Sequence, residues 1–269
     1  MRIGSMTTLK RDRLCVLSGF GIVVLVAWLY LVINPQRADM TGGADGMGMG
    51  MGQGMRSMTE VHPWSTATFA LTLAMWAAMM IAMMVPSAAP MALMYAAVAR
   101  KAAAQQSPVA PTFVFVAGYV AVWAVFSVAA TTSQWILDRM ALLSPMMVSR
   151  SSVLGSVLLI AAGLYQLTPL KRACLEHCRA PAHFIARHWR PGRVGAFAMG
   201  VRHGAYCVSC CWVLMALLFV GGVMNLLLIA AIAGFVLLEK TLPFAEIGGR
   251  IVGGALAILG VAGLVLALT

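Results

Sequence analysis

Long apolar runs separated by short basic segments constrain this chain more than any other feature. Seven runs are read, at about residues 15–33, 66–98, 110–137, 152–169, 194–220, 223–241 and 248–268. Several reach the roughly 18–20 residues that a helix needs to cross a bilayer. The chain is 61% hydrophobic and 10% charged, whereas a soluble domain carries about 25% charged residues. A water-soluble fold is therefore excluded. The expected class is all-α: a polytopic transmembrane helical bundle of about seven spans.

The net charge of +11 does not mark a nucleic-acid binder. Its Lys and Arg residues collect between the apolar runs, where they set topology and meet anionic headgroups. With the N-terminus inside, fourteen of the nineteen fall in inner segments and four in outer ones, while Arg202 lies within a span. That bias places the N-terminus in the cytoplasm and Thr269 outside. Residues 1–34 then form a basic segment and a retained signal-anchor helix, 35–65 a periplasmic Gly/Met-rich flexible loop, and 66–269 a six-helix membrane domain with the Cys/His clusters. The second run, Thr66 to Val98, would be about 50 Å of helix at 1.5 Å per residue, too long for one simple span. Pro86 and Pro90 predict a kink or break within it, because each lacks an N–H and crowds the preceding turn.

Methionine is concentrated on the outer approach. Of 21 methionines, 13 fall between Met40 and Met94. Met40, Met47, Met49, Met51, Met55 and Met58 put thioethers into the 35–65 loop, where exposed methionine is prone to oxidation and needs a reason. Neutral soft sulfur binds Cu(I) well and hard cations poorly. Within the second run Met75, Met79 and Met83 recur every four residues and share a helix face. Packing and a thioether path for Cu(I) are both open readings of that stripe.

Five of the six cysteines sit in two clusters, Cys174-x-x-His177-Cys178 and Cys207-x-x-Cys210-Cys211. On helices each set lies at i, i+3 and i+4, with His203 one turn before Cys207. If the two faces meet, they supply enough soft ligands for Cu(I) or for tetrahedral Zn²⁺. By the topology count the first cluster lies at the inner end of the fourth span, and the second nearer mid-membrane in the fifth. Simple packing, a structural Zn²⁺ site, a thiol–disulfide oxidoreductase and functional soft-metal binding all remain open. Charged groups inside the bilayer are costly; Glu239 and Lys240 are expected to pair with each other or with Arg202. No Ser/His/Asp set, phosphate loop or carboxylate pair points to hydrolytic or phosphoryl chemistry.

The stretch Met75-Trp76-Ala77-Ala78-Met79-Met80-Ile81-Ala82-Met83-Met84-Val85-Pro86 resembles a bacterial family of predicted metal-binding integral membrane proteins. So do Ala162 to Lys171 leading into Cys174 and Cys178, Gly204 through Cys207, Cys210, Cys211 and Trp212 to Met215, then Gly222 to Asn225 and Glu239-Lys240. The resemblance spans about residues 66–245. It implies metal binding through Cys174, Cys178, Cys207, Cys210 and Cys211 without fixing the metal; the Gly/Met loop lies outside it. The expected protein is a multi-pass resident of the bacterial inner membrane that handles Cu(I), with Zn²⁺ as the alternative metal. Its expected partners are the lipid bilayer, the metal ion and a metal chaperone or recipient metalloenzyme, with no nucleic acid.

Overall fold

A computed structural model describes residues 14, 16–33, 64–142, 151–242 and 245–269. All regular structure among them is helical. The elements are α1 (Val16–Ile33), α2 (Thr66–Ala104), α3 (Thr112–Arg139), α4 (Ser152–Leu167), α5 (Pro169–Arg179), α6 (Pro181–His188), α7 (Gly192–Ala216), α8 (Leu218–Gly221), α9 (Leu226–Thr241) and α10 (Ala245–Leu268). The expected segment 35–65, with Met47, Met49 and Met51, lies almost entirely outside the described residues.

Five of these helices are long and apolar enough to cross a membrane: Val16–Ile33, Thr66–Ala104, Thr112–Arg139, Gly192–Gly221 and Glu246–Leu268. The bent pair α4–α5 makes up to six. The run read at 223–241 forms α9, only 16 residues long. Large apolar side chains such as Leu71, Phe113, Val125, Val194, Leu227 and Ile258 point outward, while Lys171, His203, Glu239 and Lys240 are buried. This polarity is the reverse of a water-soluble fold and suits a hydrocarbon surround.

Helix α2 runs through the centre. Ser65 caps it, its side chain accepting from the Thr68 N–H at 3.1 Å. Both prolines lie inside one continuous helix, so the expected break is absent. Polar donors gather beside them: the Met84 carbonyl accepts from Ser87 Oγ at 2.8 Å and from Tyr119 Oη at 3.0 Å. The carbonyls that Pro86 and Pro90 leave without a helical N–H are those of Ala82 and Pro86, four residues before each.

Two helix pairs approach closely through glycine. Between α3 and α7, a Cβ on Gly200 would overlap the Phe115 carbonyl, and one on Gly118 the Phe197 carbonyl. Between α4 and α10, Gly163 faces the Gly253 carbonyl and Gly260 faces Ser156 and Ile160. Small residues let membrane helices bring their backbones together, where van der Waals packing is the main attraction.

The turn from α4 to α5 follows from Leu167-Thr168-Pro169. A residue before proline is driven to extended backbone, and Thr168 has ψ 146°. Its hydroxyl donates to the Tyr165 carbonyl at 2.7 Å and accepts from the Lys171 N–H at 3.3 Å. Pro169 then occupies the first turn of α5, where its missing N–H costs nothing. The chain bends by 63° there, swinging α5 and its cysteines against α7.

Candidate metal site

The two cysteine clusters meet. Cys207, Cys210 and Cys211 lie fully buried on α7, as their i, i+3, i+4 spacing requires of one face turned inward. The bend at Thr168 brings α5 alongside, and the thiol of Cys178 becomes a close neighbour of Cys210. Cys174 is also buried, in the same apolar core as the α7 thiols. All five cysteines among the described residues are free. Cys210 and Cys211 each point a thiol at the Cys207 carbonyl, at 3.1 and 2.9 Å.

Methionine closes one side. Met75, Met79 and Met83 are all buried and pack in the core that holds the thiols. The thioether that reaches a cysteine is on the adjacent stripe: Met84 Sδ stands 4.0 Å from Cys211 Sγ.

The two expected histidines pack against aromatic rings. His177 stacks on Tyr206, with ring centroids 4.3 Å apart, and its Nδ1 lies 2.8 Å from the Ala173 carbonyl. His203 is buried among Tyr119, Phe115 and Phe184, and its Nδ1 has no hydrogen-bond partner. Among the described residues no group of three or more His, Cys, Asp or Glu side chains has metal-holding geometry. The donors that converge are the thiols of Cys178, Cys210, Cys211 and Cys207, with a thioether beside them. A set made of sulfur suits a soft metal ion.

Charged and hydroxyl groups complete the site. Lys240 Nζ on α9 donates to Cys207 Sγ at 2.8 Å and to Ser87 Oγ of α2 at 3.1 Å. Tyr119 Oη is 3.0 Å from the same sulfur. Glu239 pairs instead with Lys171 of α5, at 2.6 and 2.8 Å, and Lys171 also donates to Gln166. The expected Glu239–Lys240 pair is therefore replaced by two separate contacts. Neighbours in a helix do not face each other, a signal already present in their adjacency. Tyr165 joins α4 to α7 through the Ser209 carbonyl, whereas Thr168 and Asn225 act as local helix caps.

A family model described as PpoB2, copper chaperone, matches residues 73–263. The chain belongs to the PpoB2 copper chaperone family. The match takes in α3 to α9, nearly all of α2 and most of α10, and so includes every sulfur of the buried cluster. Comparisons with curated proteins and with solved structures gave no match. For a member of this family, the soft, buried sulfur cluster is the part of the fold whose chemistry suits copper.

Proposed function

We propose that this protein is an integral membrane copper chaperone that binds Cu(I) at the α5–α7 sulfur cluster and passes it on. The observation that carries the reading is the convergence of half-buried Cys178 with Cys210, and of Cys207 with Cys211 and Met84, on the inward face of α7. Cys207, Cys211 and Met84 form the first station. Cys178 and Cys210, beside it on the α5 side, form the second. Cu(I) moves between such stations by ligand exchange, with no change of oxidation state, because thiolate and thioether sulfurs both suit it.

The orientation inferred from the basic segments puts the start of α2 on the outer side. Met84 lies about 27 Å along the helix from Thr66, at 1.5 Å per residue, so the cluster stands toward the inner face. Copper collected by Met47, Met49 and Met51 would pass the Met75, Met79 and Met83 face to reach it. A recipient metalloenzyme or soluble metal carrier then takes the ion from the Cys178–Cys210 pair. Metal analysis of full-length protein, purified anaerobically and loaded with Cu(I), tests the reading. Wild type should hold copper and a Cys207→Ser/Cys210→Ser variant should lose it; absence of copper from wild type would refute it.

The Cys178–Cys210 contact also favours a second reading, thiol–disulfide exchange. A redox protein would cycle that pair between thiol and disulfide with added reductant, whether or not copper is present.

A further inference from the structure

Among the described residues, no carboxylate pairs with the buried cation of Lys240. The residue is 9% exposed, and the contacts of its Nζ are a hydroxyl, Ser87 Oγ at 3.1 Å, and a thiol sulfur, Cys207 Sγ at 2.8 Å. Glu239, the neighbouring acid, turns away to Lys171 at 2.6 Å. An ammonium removed from water is strongly unfavourable unless an opposite charge lies beside it. Two ionisable groups stand here, the Cys207 thiol and the Tyr119 phenol 3.0 Å from it; a thiol ionises more readily than a phenol, so sulfur carries that charge, either as thiolate or as a metal–thiolate complex.

Charge arithmetic then distinguishes metals. A monovalent ion held by two thiolates carries net charge −1, and Lys240 brings the assembly to zero. A divalent ion on the same two thiolates is neutral, and the ammonium stays uncompensated. The thioether of Met84 adds a ligand without adding charge. Resting on the copper-binding reading above, we propose that Lys240 is a specificity determinant: it makes the Cys207 site select monovalent soft ions, Cu(I) and Ag(I), over divalent Zn²⁺ and Cd²⁺. Ser87 holds the ammonium in place from α2.

The test is a competition between Ag(I) and Cd²⁺ for full-length protein in detergent, read from the ultraviolet Cd–thiolate band and from bound-metal analysis. Wild type should favour Ag(I). Lys240→Leu removes the charge without adding a metal ligand, and should move the preference toward Cd²⁺ by at least about tenfold, given the strength of a charge contact in a poorly solvated site. Lys240→Arg should keep the wild-type ratio. Ser87→Asp supplies the ammonium with a carboxylate and should move the ratio in the same direction as Lys240→Leu, so it decides the matter if that variant does not fold. A ratio unchanged in Lys240→Leu or, where that variant does not fold, in Ser87→Asp would overturn the inference while leaving copper binding intact. Wild type that binds neither ion would overturn the binding reading itself.

Discussion

Cys178 of α5 and Cys210 of α7 are close neighbours across two helices, and the bend at Thr168-Pro169 turns α5 toward α7. The contact joins the two halves of the cysteine pattern into one site.

Treating apo protein with a mild thiol oxidant such as diamide should therefore link Cys178 to Cys210. Each thiol loses its hydrogen to the oxidant as the S–S bond forms. Peptide mass spectrometry reads the pair, and prior loading with Cu(I) should suppress it. A dominant Cys207–Cys210 link would contradict the arrangement.

Lys171 and Glu239 form a buried ion pair at 2.6 Å, with side-chain exposures of 4% and 5%. Removing one partner strands the other. Glu239→Gln should lower stability by about 3–5 kcal/mol, whereas the double variant Lys171→Met/Glu239→Gln should recover much of that loss. Thermal unfolding in detergent measures both. Additive losses would show that the pair does not behave as a unit.

How much of this was legible in the sequence depends on range. The apolar runs foretold the helices, and Ser65, Thr168 and Asn225 cap them as short polar residues do. The cysteine spacing put each cluster on a single helix face. Long-range features were not legible. Spacing does not say that α9 delivers Lys240 to Cys207, or that Met84 reaches a thiol, since both depend on how separate helices pack. Nor does spacing reveal the aromatic rings that pack on His177 and His203. Pro86 and Pro90 favour a kink or break locally, whereas α2 runs through both as one helix.

Gly200 sets the distance between α3 and α7, because a Cβ there would overlap the Phe115 carbonyl. Gly200→Ala should cost about 1–3 kcal/mol through overpacking. Gly234, which has nothing within 4 Å of an added Cβ, is the control: Gly234→Ala should be neutral or stabilising by up to about 1 kcal/mol. Melting temperatures in detergent compare them, and equal responses would argue against the close approach.

The central claim is that copper is held by the sulfurs gathered around Cys207. X-ray absorption at the copper edge, on full-length protein loaded anaerobically with Cu(I), addresses it most directly. The expected result is Cu(I) in a low-coordinate, all-sulfur shell that disappears in Cys207→Ser/Cys210→Ser. A shell dominated by nitrogen or oxygen, or an unchanged sulfur shell in that variant, would contradict it.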